Sequence, residues 1–178
     1  MPIPIKDFLK SIPFLRAGVR SVRQRWRDWK YDPARWIASA FRRDQHVSVV
    51  QIGSNDGLTQ DPFHALLMRH PGWSALFVEP VPFLFARLKA NYPAEPRFRF
   101  ENVAVSAADG SLPFWYVAPE ARASLPHLPP WVDQLGSFNR DHIASHFQGD
   151  DIRPFIMEVG VPTLTLARLL DRHNISQI

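Results

Sequence analysis

The spacing of apolar and polar positions changes character near residue 46. Before it, Ile5, Phe8, Ile12, Leu15, Val19, Val22, Trp26 and Trp29 recur at alternating steps of three and four, which lays one apolar stripe along a helix. Lys6, Lys10, Arg16, Arg20, Arg23, Arg27 and Lys30 fall between them. Pro13 interrupts the ladder and predicts the start of a second helix, because proline fits only a first helical turn. After residue 46 the period shortens. Val47–Ile52 is apolar on both faces and predicts a buried central strand of a mainly parallel sheet.

The rest of the chain continues as short apolar strands alternating with amphipathic helices, the pattern of an α/β domain. Asp61-Pro62 reads as an N-cap followed by a first-turn proline, with Phe63, Leu66 and Leu67 striping a helix that ends near Arg69 or His70. Ser74–Val78 predicts the next strand, Pro82–Asn91 the next helix and Phe98–Val105 a third strand, a βαβαβ unit. Asp109-Gly110 signals a hairpin into Ser111–Val117, paired antiparallel to that third strand. Residues 118–155 carry prolines and aromatics without a sustained period and predict a long excursion with one short helix near Arg140–His146. Phe155–Val161 predicts a strand, and Thr165–His173 a helix with Leu166, Leu169 and Leu170 on one side.

Composition changes this picture mainly through charge. Residues 1–43 hold 11 basic and 3 acidic side chains, and residues 44–178 hold 10 and 14, so a basic arm precedes a mildly acidic body. The arm therefore reads as a helix docked on its own domain, a basic amphipathic helix at an anionic membrane surface through residues 5–30, or a partner helix. Nucleic acid is not a predicted partner, because the basic charge does not continue onto the body. With 46% hydrophobic and 21% charged residues, the chain is globular. No apolar run reaches the ~20 residues of a membrane span, and prolines and charges occupy the place of a signal-peptide core, which predicts a cytoplasmic location, peripheral to the inner face of the membrane if the arm binds lipid. The absence of cysteine excludes a disulfide framework, a thiolate zinc site and a cysteine nucleophile. Seven histidines without a clustered ligand pattern leave a metal site open but give it no support, and none is assigned.

The candidate chemistry lies after the first strand. Gly53-Ser54-Asn55-Asp56-Gly57 turns the chain where glycine lets backbone approach a ligand closely, and in open α/β sheets ligands sit outside the carboxyl ends of the strands. Glu79 ends the second strand 22 residues past Gly57 and is placed to accept the ribose hydroxyls of a nucleoside-type cofactor. Neither G-x-G-x-x-G nor G-x-x-x-x-G-K-[ST] is present, which argues against phosphate binding. The plain readings are a structural turn and a helix cap. Asp141 and His142 are candidates for a general base, set against surface positions on a helix.

Three segments, Val49–Gly57, Leu76–Pro80 and Phe100–Ser106, resemble in order and spacing the first motifs of the FkbM-type S-adenosylmethionine (SAM) dependent methyltransferases. Trp131–His142 and Val161–Leu170 look like later segments, so the resemblance covers roughly residues 45–178. It implies a Rossmann-like SAM methyltransferase sheet, preceded here by a helical arm over 1–43 with the partial catalytic domain over 44–178. It implies that Gln51, Gly53 and Gly57 line the methionine part of SAM with Ser54, Asn55 and Asp56 completing the turn. Glu79, followed by Pro80, takes the ribose, and Asn102, Val103 and Ala104 border the adenine. The implied activity is methyl transfer to a small-molecule or glycan acceptor, in known members often a hydroxyl of a sugar or natural product.

Members of the family continue past the Leu169–Ile175 helix into a fourth strand beside the first, whereas this sequence ends at Ile178. The resemblance therefore implies an incomplete sheet in which Val47–Ile52 becomes an apolar edge, and a chain that alone binds SAM weakly or not at all and lacks transferase activity. Two other readings compete: a non-catalytic membrane- or partner-binding module built on the same remnant, and a different nucleotide-binding enzyme in which Glu79 serves NAD.

Overall fold

The computed structural model describes residues 33–41, 43, 46–147 and 152–176, and the chain divides into two compact units, 1–44 and 45–178. The striped helices expected over residues 5–30 lie outside the described residues. In the first unit one helix is described, α1 (Pro33–Ala40), opened by its proline and exposing Trp36. No helix among the described residues is long and apolar enough to cross a membrane.

The second unit is mixed α/β. Its first half is the expected βαβαβ run: β1 (Ser48–Ile52), α2 (His64–Arg69), β2 (Ser74–Val78), α3 (Pro82–Asn91) and β3 (Phe98–Glu101). The three strands form a parallel sheet in the order β1-β2-β3, with Ser48 opposite Ser74 and Ala75 opposite Phe98. Asp61 is not the N-cap expected of it: its Oδ1 accepts the Phe63 N–H at 2.7 Å in a turn ahead of the helix, and Phe63, without a side-chain cap, is the N-cap of α2. Beyond its other end the Arg97 guanidinium donates to the carbonyls of Leu67 in the helix, His70 at its C-cap and Trp73 before β2, and so ties the helix end to the start of β2. β2 is buried along Ala75–Val78 and forms the centre of the sheet.

Three further expectations are corrected. β1 is not a central strand: among the described residues it pairs only with β2, and Ile52 is half exposed at the open edge. Next, the third strand is broken. Asn102 Nδ2 donates to the carbonyls of Glu79 (2.7 Å) and Pro80 (3.1 Å), which pulls the chain out of the first sheet, and Ala104–Val105 resumes as β4 in another. Finally, β5 (Gly110–Val117) does not pair with that strand. It lies antiparallel to β7 (Ile156–Leu164) along its whole length, because β7 offers a continuous partner where β4 offers two residues. The second sheet runs β4-β7-β5-β6, with β6 at Gly136–Ser137.

The excursion between β5 and β7 is folded rather than irregular. Helix α4 (Ala121–Ser124), 3-10 turns at Val132–Gln134 and Arg153–Phe155, and helix α5 (Arg140–Ser145) close over Val117, Leu128, Val132, Ile143 and Ile152. Asn139 caps α5 by accepting the N–H groups of Asp141 and His142. The last helix, α6 (Leu166–Arg172), is capped by Thr165 and buries Leu169 against Leu76, Val78 and Val103. That contact joins the two sheets.

Candidate functional site

The turn after β1 closes onto the end of β2. Gly53 and Ser54 both donate their N–H groups to the Val78 carbonyl (2.9 and 3.1 Å), Ser54 Oγ donates to the Gln51 carbonyl, and that same Oγ accepts the Val78 N–H. Such a tight reversal needs left-handed backbone at Gly53 (φ +74°), Asn55 (+50°) and Gly57 (+64°). The two glycines differ. A Cβ at Gly53 meets nothing within 4 Å, whereas one at Gly57 collides with the side chains of Leu88 and Tyr92. Gly53 therefore faces open space and Gly57 seals the turn against α3.

Glu79 is the centre of the arrangement. It is 2% exposed, and its two carboxylate oxygens each accept one backbone N–H, Oε2 from Asn55 at 2.8 Å and Oε1 from Val81 at 2.9 Å. Burial pushes its carboxyl above the usual range, against the two N–H groups that favour the ionised form. Each oxygen keeps a lone pair for a further donor.

Asp56 faces the other way and organises its own loop, accepting from Thr59 Oγ1 (2.6 Å) and from the N–H groups of Leu58 and Thr59. Burial alone would raise its carboxyl, but these hydrogen bonds and Arg87 hold it below the ordinary value. Asn91 at the end of α3 ties down the turn by donating to the Asp56 carbonyl at 2.8 Å.

Of the residues singled out in the sequence, Gly53–Gly57, Glu79, Pro80 and Asn102 are joined by direct hydrogen bonds around the carboxyl ends of β1 and β2. Val103 and Ala104 are adjacent but turn their side chains into the core. Asp141 and His142 are exposed on α5, and no hydrogen bond among the described residues links them to the turn or to Glu79.

Two features escaped the sequence reading. Gln51 Oε1, Asp61 Oδ2 and Tyr92 Oη are buried without a formed hydrogen bond beneath the turn; Asp61 was legible only as a helix cap, and a tyrosine after a helix carries no signal of its own. The other is a buried carboxylate, Asp133, which takes Arg87 Nη1 at 3.1 Å and fastens the excursion to α3. No protein-family model matches the chain, and no curated protein matches it.

Proposed function

We propose that residues 45–178 form a SAM-binding domain of the FkbM methyltransferase type, with a Rossmann-like sheet, acting on a hydroxyl of a sugar or natural product. The observation that supports this most is the 2.8 Å bond from Asn55 N–H to Glu79, which brings a glycine turn and a strand-ending carboxylate together at the carboxyl ends of two parallel strands. Glu79 would accept the two ribose hydroxyls through its remaining lone pairs. Gln51, Gly53 and Gly57 would line the methionine part, where Gly53 leaves open space and Gln51 Oε1 lacks a partner. Asn102 would border the adenine.

SAM, when bound, would supply an electrophilic methyl group. The chain's own residues would align the acceptor oxygen and take the hydroxyl proton. Asp141 and His142 are the proposed bases, both exposed on α5. The excursion over residues 118–155 supplies the acceptor-facing surface.

Saturation-transfer NMR tests the reading because it detects weak binding. Transfer to the ribose and adenine protons of SAM, lost in Glu79→Ala and absent with NAD, is the expected result. Equal transfer to NAD, or none to SAM from the folded chain, overturns it.

A further inference from the structure

Away from the turn, the described surface brings two imidazole nitrogens to chelating distance. His142 and His146 stand four residues apart on the exposed side of α5 and its C-cap, so their side chains share one face. Their Nε2 atoms face one another at 3.5 Å, with the rings edge to face at 79°. At that separation a hydrogen bond between them, one Nε2 protonated and the other not, is long and weak. A cation held by both lone pairs would replace this weak contact with two metal–nitrogen bonds.

The distance suits one class of ion. Metal–imidazole bonds of about 2.0 to 2.1 Å at a tetrahedral angle place the two nitrogens roughly 3.3 to 3.4 Å apart, so the rings need to shift by only a fraction of an ångström. The scaffold is fixed from both ends: Asn139 caps the helix, Ile143 is buried between the two histidines, and Ser145 Oγ donates to the His142 carbonyl at 2.7 Å. Among the described residues no third His, Asp or Glu completes a three-ligand group, and Asp141 lies one position from His142 on a different helix face. The remaining coordination positions are open to water.

We infer that His142 and His146 form an open two-histidine chelate for an imidazole-preferring divalent cation of the Zn²⁺ class. The inference does not depend on SAM binding. It does constrain the choice of base: while a cation holds His142 Nε2, that atom cannot accept a proton, and the role falls to Asp141.

The test is calorimetric titration of the tag-free chain with zinc chloride. One saturable Zn²⁺ per chain is expected, weakened about tenfold or more in either His142→Ala or His146→Ala, because each removes half of an intramolecular chelate. His46→Ala should bind as the parent does, and magnesium chloride should give no saturable heat. His142→Gln and His146→Gln keep polar side chains on the same exposed face and should repeat the alanine result, with far-UV dichroism verifying the fold. No saturable uptake, or uptake unaffected by either substitution in folded protein, overturns the inference.

Discussion

The Glu79 carboxylate and the Asn55 backbone N–H, 24 positions apart, meet at 2.8 Å and couple the turn after β1 to the end of β2. The same carboxylate takes the Val81 N–H, so one side chain satisfies donors on two segments. Glu79→Ala should therefore destabilise the second unit by about 2 to 4 kcal/mol, as two buried donors lose their acceptor. Urea unfolding at constant slope reads this. A change below about 0.5 kcal/mol would mean that water replaces the carboxylate freely.

Gly53 and Gly57 separate two contributions to glycine dependence. Both require positive φ, which costs an L-residue roughly 1 to 2 kcal/mol, but only at Gly57 does a Cβ collide with Leu88 and Tyr92. Gly57→Ala should cost at least about 1 kcal/mol more than Gly53→Ala, from the added overpacking. Equal shifts in the thermal midpoints would show that α3 yields to the new methyl group.

The sequence made the first sheet legible because its elements follow one another and carry strong local signals. The runs at Ser74–Val78 and Pro82–Asn91 end where their patterns end and Glu79 stands at its strand's end, whereas α2 starts at His64, two residues later than Asp61-Pro62 suggested. What local pattern could not carry was long-range pairing. β7 enters the second sheet between β4 and β5 from about forty residues downstream, displacing the hairpin expected at Asp109-Gly110. The break at Asn102 is likewise set by two carbonyls that only tertiary structure brings near. His142 and His146 stand at helical ligand spacing, yet pairs of this kind are common enough that the 3.5 Å approach, rather than the spacing, singles them out.

Stability should depend on pH with opposed contributions. Glu79 and Asp61 are raised above their ordinary 4.5 and 3.8, mainly by burial. Each binds more protons folded than unfolded, so its contribution is complete below the ordinary value and is lost as pH rises through the native one. Asp56 is lowered below 3.8, so its contribution is present above that value and is lost as pH falls through the native one. Above the ordinary carboxylate values, where Asp56 is ionised in both states, the first two set the trend among these three groups and unfolding free energy should decline as pH rises through their native values. Glu79→Gln and Asp61→Asn should flatten this decline, whereas Asp56→Asn should leave it in place; equal slopes in all four proteins would contradict the assignment.

Tyr92 allows a buried hydroxyl to be weighed against its ring. The ring packs on Phe77 at 4.4 Å between centroids, on Phe98 at 5.0 Å and on His64 at 5.1 Å, while Oη is buried without a hydrogen bond of full geometry. Burial raises the phenol well above its ordinary range, and the charge of Asp61 and a weak side-chain hydrogen bond to it add to the shift. The hydroxyl thus exchanges its hydration for one poorly formed contact with Asp61, a small net cost to folding. Tyr92→Phe should be neutral or should stabilise by up to about 1 kcal/mol, whereas Tyr92→Ala, which empties the aromatic cluster, should cost about 3 to 5 kcal/mol. Both are read from denaturant midpoints. A loss above about 1 kcal/mol in the phenylalanine variant would mean that an ordered water bridges Oη to Asp61 and Gln51 in solution, and that the three atoms act as a satisfied network beneath the turn.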